Sequence, residues 1–322
     1  MKKKSRFWKV LRRIALVMIG ICLIWAITNQ IMTAIEKKKY LPTGQLVKVQ
    51  GKDIHVYTKG KGKNTILLLS GLGTAVPVLD FEPLIDELSK NNRVVVVEPF
   101  GYGWSDITNK DRTVENIISE VRSALRKSNI KGPYILMPHS VSGIYSMYYA
   151  NKYPDEVKAI IGIDPLFPTA MEYFGEPAPT IPTYMTLLAP TGVARLTLLA
   201  NPEGYLPVAE EGTYTNENLK MMKAISSWKI ANKNVIGEAK EINQSASKTI
   251  KMSFPSKMPV MIFTRKIDKE RQDGKTNITF YENQLSNVKS KKIVVFQAHH
   301  YLHWTRYKEM SKYVNDFINT PL

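Results

Sequence analysis

Residues 134–149 read YILMPHSVSGIYSMYY, and this stretch decides the fold. The apolar run that begins at Tyr134 is typical of a buried strand, and it stops at Pro138. Ser140 follows almost at once, and the residues after it have the small and apolar pattern of a helix. A serine between a strand and a helix is often only a helix N-cap, so its interpretation depends on the rest of the chain.

The turn around Ser140 has most of the features of a nucleophile elbow, in which a serine hydroxyl is exposed on a sharp strand-to-helix turn. The usual pattern is Gly-x-Ser-x-Gly, but Pro138 stands at the first glycine and Ser142 at the second. Pro138 is acceptable only as the last residue of its strand, because it cannot donate a ladder hydrogen bond. We expect Gly143 to restore part of the clearance that a glycine at 142 would provide. Neither departure changes the nucleophile itself.

The N-terminus has the pattern of a membrane anchor. Residues 1–13 contain seven basic residues, residues 14–35 are almost wholly apolar, and a second basic cluster follows at 37–39. About twenty apolar residues suffice to cross a bilayer as a helix. The larger positive charge lies before the apolar segment, so the sequence predicts a cytoplasmic N-terminus and places the chain after Tyr40 outside the cell membrane. No small-x-small cleavage site follows the apolar segment, which favours an uncleaved anchor over a signal peptide.

The net charge of +17 does not indicate a nucleic-acid-binding protein. Residues 1–40 account for about half of the excess, and the remaining lysines are scattered without a dense basic stripe. The single cysteine, Cys22, lies in the apolar segment, so the sequence contains no intrachain disulfide and no cysteine metal site. The oligomeric state is left open by these features.

Short aliphatic runs alternate with helical patterns through most of the chain, which predicts an α/β fold with a mostly parallel sheet and helices on both faces. Two short strands at 46–50 and 53–57 precede these runs as a hairpin. Residues 166–252 break the alternation, because they are first rich in proline and methionine and then helical and polar. We therefore predict a core formed by residues 41–165 and 253–322, with residues 166–252 inserted as a cap over the edge of the sheet where ligands bind.

Residues 41–164 and 255–318 resemble the α/β-hydrolase superfamily, with motifs in the family's order. Ser70-Gly-Leu-Gly73 resembles the loop that supplies an oxyanion-hole amide, and the segment at 98–106 resembles the family's Gly-x-Gly-x-Ser loop. The elbow at Ser140 comes next. The strand at 259–264, with Asp268 after it, resembles the one that delivers the acid, and the loop at 299–303 resembles the one that delivers the histidine.

The resemblance implies a catalytic triad and an oxyanion hole. Ser140 is the nucleophile, and His300 is the base, although His299 stands where the family has a glycine. Asp268 is the favoured acid, and Asp164, at the end of the strand after the elbow, is the alternative. The amides of Leu72 and Val141 would stabilise the oxyanion.

The sequence therefore predicts a membrane-anchored serine hydrolase that acts on a small-molecule ester or related acyl bond, without a cofactor. The spacing of His299 and His303 could place two metal ligands on a helix, but no glutamate lies between them and no acidic cluster follows, so no metal site is predicted. Haloperoxidase, acyltransferase and peptidase chemistry use the same triad, and a binding protein that kept the fold without turnover is the alternative from another class.

Overall fold

The structure is a computed structural model, and it describes residues 2–267 and 273–319. The strands are β1 (Gln45–Val49), β2 (Lys52–Lys59), β3 (Thr65–Leu69), β4 (Arg93–Val97), β5 (Tyr134–Pro138), β6 (Val157–Ile163), β7 (Val260–Arg265) and β8 (Lys291–Phe296). The helices are α1 (Lys2–Lys39), α2 (Pro77–Asp80), α3 (Glu82–Leu88), α4 (Val114–Lys127), α5 (Ser142–Lys152), α6 (Ala170–Phe174), α7 (Leu188–Thr191), α8 (Val193–Ala200), α9 (Asn216–Lys229), α10 (Lys233–Thr249), α11 (Asn277–Gln284) and α12 (Tyr307–Asn319).

The strands in the described part of the chain form one eight-stranded sheet in the order β1-β2-β4-β3-β5-β6-β7-β8. The hairpin β1–β2 and the pair β2–β4 are antiparallel, and every pair from β4 to β8 is parallel. The α/β fold with a mostly parallel sheet is thus confirmed. Because the carboxyl ends of parallel strands meet at one edge, the residues that follow β3, β5, β6 and β8 are brought together there.

Both faces of the sheet are covered by apolar side chains, as the continuous aliphatic strands require. On one face, side chains from α4, α5 and α11 pack against the strands, and on the other face those of α3 and α12 do so. Helix α4 follows its sequence pattern closely: Thr113 is the N-cap, with its side chain accepting from the amide of Asn116, and the apolar stripe is buried. Each fully buried aliphatic side chain contributes roughly 1.5–3 kcal/mol.

Helices α6 to α10 lie between β6 and β7, in the segment for which the sequence predicts the cap. We call residues 166–252 the cap below. Helix α1 contacts the cap at α7 and α9. It is longer than the predicted apolar segment at 14–35, because it also includes the basic residues on both sides of that segment. Polar residues after Ile27 find partners on the cap. The amide nitrogen Nδ2 of Asn29, for example, donates to the carbonyl of Ala189 over 3.0 Å.

Candidate active site

Ser140 lies on a strained turn directly after β5. Its φ of 53° is in the left-handed region, which a residue other than glycine adopts at an energetic cost and which is frequent at functional sites. The surrounding structure fixes the turn: the carbonyl of Ser140 accepts from the amides of Gly143 (2.9 Å) and Leu166 (2.7 Å). The strand-to-helix turn around Ser140 therefore has the geometry of a nucleophile elbow.

The two departures from the elbow pattern are accommodated locally. Pro138 is the last residue of β5, where the missing N–H leaves the ladder intact up to that point. Ser142 is buried, and its hydroxyl donates to the carbonyl of Ser70, which links the elbow to the loop after β3. Gly143 is where the close approach occurs, since a Cβ atom there would lie 2.6 Å from the carbonyl oxygen of Leu166. In this chain the position that requires glycine is therefore 143, one residue after the position of the second glycine in the usual pattern.

His300 lies in the loop after β8, and its ring is paired with a carboxylate. Nδ1 of His300 lies 2.6 Å from Oδ2 of Asp164, the residue that follows β6. Asp164 also has a left-handed φ, of 41°. The hydroxyl of Thr264 donates to its other oxygen, Oδ1, over 2.8 Å, and Nε of Arg265 lies 3.3 Å from Oδ2. Both oxygens of the carboxylate are therefore held, which fixes the orientation of the imidazole.

The acid favoured by the sequence, Asp268, lies outside the described residues. The structure places the alternative, Asp164, at the ring of His300. Ser140, Asp164 and His300 line one cavity of about 1060 Å³, which we call the Ser140 cavity. The roles of these residues remain predictions, but three of the residues chosen from the sequence do share one concave site.

Aromatic and imidazole rings pack against one another around the loop at 299–303. His139 is buried, and Nε2 of its ring lies 3.3 Å from the carbonyl oxygen of His300, to which it can donate. Burial, with smaller effects from His300 and His303, lowers the pKa of His139 well below its usual value, so this ring is neutral at pH 7. His303 is buried too, and its Nε2 lies 2.6 Å from Oδ2 of Asp80. His299 stacks on Trp304, whereas His303 meets the same ring edge-on.

The amides proposed for the oxyanion hole come from two different turns. Leu72 belongs to the turn after β3, and Val141 precedes α5. Among the described residues, no backbone or side-chain acceptor takes a hydrogen bond from either amide. Gly71 keeps the turn close, since a Cβ there would lie 3.0 Å from Cβ of Ser140. Two unused donors near a serine are what an oxyanion hole requires.

Sequence reasoning missed a buried polar contact between the cap and the turn after β3. The hydroxyl of Tyr102 accepts a hydrogen bond from the amide of Gly73 (3.2 Å) and donates one to Oε2 of Glu238 on α10 (2.7 Å). The hydroxyl of Tyr145 donates to Oε1 of Glu238 over 2.8 Å. Burial raises the pKa of Glu238. One signal was present in the sequence: Glu238 shares the buried side of α10 with Val235 and Ile242.

A second cavity, of about 730 Å³, lies on the other side of the histidine loop, and we call it the Trp304 cavity. It is lined by Gly73, His299, Tyr301 and Trp304 from the core and by Met222 and Ile230 from the cap. The side chains of Tyr301 and Trp304 stack with their centroids 4.1 Å apart. The loop that carries His300 therefore lines both cavities: His300 lines the Ser140 cavity, and its neighbours His299 and Tyr301 line the Trp304 cavity.

Comparisons with known proteins agree with this architecture. Residues 64–307 match the family model for the alpha/beta hydrolase fold. The Uncharacterized protein YbdG of Bacillus subtilis is 33% identical over 274 residues, which is 82% of this chain and 82% of that protein. The 2-(acetamidomethylene)succinate hydrolase of Mesorhizobium japonicum is 30% identical over 111 residues, covering 34% of this chain and 38% of the relative. Among solved structures, epoxide hydrolase VrEH1 from Vigna radiata matches with a TM-score of 0.64 at 17% identity, over 86% of this chain and 97% of that one.

Proposed function

Because this chain belongs to the family of proteins with the alpha/beta hydrolase fold, we propose that it is a serine hydrolase that cleaves carboxylic esters or related acyl bonds. One observation carries the proposal: Ser140, on its strained turn, shares a cavity with the paired side chains of His300 and Asp164. A nucleophile, a base and a group that orients the base are the parts that acyl transfer needs.

In the proposed reaction, Oγ of Ser140 attacks the acyl carbonyl. Its proton passes to Nε2 of His300, the ring nitrogen that does not face Asp164. The carboxylate of Asp164 stabilises the imidazolium that forms. The negative charge on the carbonyl oxygen is stabilised by the amides of Leu72 and Val141, and each such donor contributes roughly 3 kcal/mol.

The tetrahedral intermediate then collapses. The C–O bond to the alcohol breaks, and the leaving oxygen takes the proton from Nε2 of His300. Ser140 now carries the acyl group as an ester. A water molecule attacks this ester while His300 accepts its proton, and the second collapse releases the carboxylic acid and restores the serine hydroxyl.

We assign the acid role to Asp164 in preference to Asp268, because the only ring nitrogen of His300 that an orienting acid can use is already 2.6 Å from Asp164. The hydrogen bond from Thr264 and the proximity of Arg265 hold this carboxylate in place beside His300. A buried carboxylate that neighbouring side chains hold in place suits an orienting role.

The lining of the Ser140 cavity supports an apolar acyl group as substrate. Its apolar members come from both the cap and the core: Leu166, Ala170, Met171, Phe174, Ile267 and Phe280. Lys275 and Arg265 add positive charge to the same cavity. We therefore expect an acyl chain of several carbons to be preferred over acetyl, because each buried CH₂ contributes about 0.8 kcal/mol.

We also propose that α1 anchors the protein in the cell membrane, with the catalytic domain outside. The part of α1 at Arg6–Lys39 contains an apolar stretch long enough to cross a membrane, and the rest of the protein leaves that stretch exposed. An exposed apolar helix of this length is suited to a lipid environment. Protease added to intact cells should remove the catalytic domain, and complete protection would reverse the proposed topology.

The test of the hydrolase proposal is covalent labelling with a fluorophosphonate of the full-length protein in detergent. The wild type should be labelled, and Ser140→Ala should not. Ser146→Ala is the matched control, because Ser146 is buried six residues further on and its hydroxyl only donates to the carbonyl of Gly143. Absence of labelling in the folded wild type would overturn the proposal in favour of a binding protein. Equal labelling of wild type and Ser140→Ala would place the nucleophile elsewhere.

A further inference from the structure

The cap carries an exposed apolar surface beside the N-terminal helix. Tyr184 is 72% exposed and Leu187 is 60% exposed, and both precede α7. The exposed apolar side chains of α8 continue this surface. We call the set the cap face, and its members are Tyr184, Leu187, Val193, Leu196 and Leu199.

Helix α8 is apolar on two sides. Its inner side, with Ala194 and Leu198, is buried in the cap. Its outer side presents Val193, Leu196 and Leu199, which recur every three residues and so share one side of the helix. A water-exposed helix normally has polar residues on its outer side, so a second apolar side indicates contact with something outside the described chain.

The cap face is held next to α1 by a buried polar junction. Arg195 of α8 turns inward, and its guanidinium bonds both carboxylate oxygens of Glu36 over 2.6 and 2.8 Å. Nε of Arg195 also donates to Asn29 over 2.9 Å. Gly192 permits the contact, because a Cβ there would lie 2.6 Å from Nε1 of Trp25. The cap is thus fixed to α1 between Trp25 and Glu36.

This junction lies where the apolar part of α1 ends. The predicted transmembrane residues are interrupted by polar side chains at Asn29 and Gln30, and both of these donate to carbonyls of α7. A basic cluster follows at 37–39. Because the apolar residues of α1 end here, the cap contacts α1 at the level where this helix would leave the hydrocarbon and enter the headgroup region.

The cap face also lacks charge. Between Pro177 and Pro202 the only charged residue is Arg195, and its charge is paired with Glu36 rather than directed outward. The surface that faces away from the protein is therefore free of ionised side chains, whose transfer toward lipid would be costly. Tyr184 is of the type enriched at membrane interfaces.

We propose that the cap face lies on the lipid bilayer, with its apolar side chains inserted into the interfacial region of the leaflet from which α1 emerges. The inference rests on the membrane anchor proposed above, and it does not depend on the catalytic chemistry. We assign the membrane surface, and not another protein, as the partner of the cap face, because this face is continuous with a helix that is itself suited to lipid.

The test uses the full-length protein in vesicles of phosphatidylcholine and phosphatidylglycerol. In a Cys22→Ser background, which removes the only native thiol, one cysteine at a time is introduced and labelled with the environment-sensitive dye NBD. The positions are Leu196→Cys on the cap face, Met18→Cys in the apolar part of α1, and Lys131→Cys, which is exposed at the opposite, amino-terminal edge of the sheet. Quenching by lipids with a nitroxide near the top of the acyl chain is then measured, and circular dichroism checks the fold of each variant.

We expect strong quenching at 18 and 196 and none at 131. Quenching at 18 without quenching at 196 would overturn the proposal for the cap face and leave the anchor in place. No quenching at 18 would overturn the anchor and the cap-face proposal with it. A blue-shifted but unquenched label at 196 would identify a second protein copy as the occupant and would contradict the proposal too.

Discussion

Nδ1 of His300 lies 2.6 Å from Oδ2 of Asp164, and 136 residues of chain separate the two. We predict that Asp164→Asn lowers kcat for an ester substrate by about 10³- to 10⁴-fold, because the amide would favour the wrong tautomer of the imidazole. Asp268→Asn should change kcat by less than about threefold. Steady-state hydrolysis of a chromogenic ester measures both effects. A large loss in Asp268→Asn with little change in Asp164→Asn would restore the assignment favoured by the sequence.

Tyr102 is a positioning residue in our interpretation, because it connects Glu238 to the amide of Gly73. Tyr102→Phe should lower kcat by roughly 10- to 100-fold with little change in KM, since the adjoining Leu72 amide loses its fixed position. Tyr145→Phe is the matched control, because it loses a hydrogen bond to the same carboxylate but makes no contact with Gly73. Both variants should lose about 1 kcal/mol of stability. Equal losses of kcat in the two variants would indicate that the loss comes from the changed hydrogen bonding of Glu238 and not from the amide of Gly73.

The carboxylate of Glu238 should make stability depend on pH. Burial raises its pKa in the folded protein, so the folded state retains a proton that the unfolded state releases. The stabilisation is fully present below the unfolded pKa of about 4.5 and is lost as pH rises through the folded pKa. The thermal midpoint of the wild type should therefore fall across this window relative to that of Glu238→Gln. A constant difference between the two proteins would mean that the carboxylate does not titrate there.

Gly143 is predicted to tolerate substitution less well than Ser142. In Gly143→Ala the new Cβ would meet the carbonyl oxygen of Leu166, and relief of this overlap requires a backbone shift that costs about 1–3 kcal/mol. Ser142→Ala removes only the hydrogen bond to Ser70 and should cost about 1 kcal/mol. Chemical unfolding of the two variants in the same detergent compares them directly. A more stable Gly143→Ala protein would show that the elbow relaxes easily.

Local patterns predicted the sheet, the hairpin and the turn at Ser140, because each depends on residues that are close in sequence. Local hydropathy likewise indicated the apolar segment at 14–35, which lies within α1. It did not indicate that Asn29, within this segment, bonds the cap, because the partner lies 160 residues away in the sequence. Burial of a polar side chain by a distant segment has no local signature.

The choice between two acids could not be made from sequence. Asp164 and Asp268 each follow a strand whose carboxyl end lies at the same edge of the sheet, so the pattern admits either. In the structure Asp164 has a left-handed φ and bonds to its two oxygens, and both features are consequences of the tertiary structure. The contact between Tyr102 and Glu238 was invisible for the same reason, although a carboxylate on the buried side of α10 indicated an unusual position.

The bond between Tyr102 and Glu238 also limits how this protein can be engineered. The cap is not structurally independent of the candidate site. Glu238 on α10 accepts the hydrogen bond of Tyr102, and the hydroxyl of Tyr102 in turn holds the amide of Gly73. Chimaeras that exchange this segment for that of another hydrolase will need a carboxylate at the position of Glu238. Without it, a graft made to alter selectivity would also weaken turnover toward every substrate.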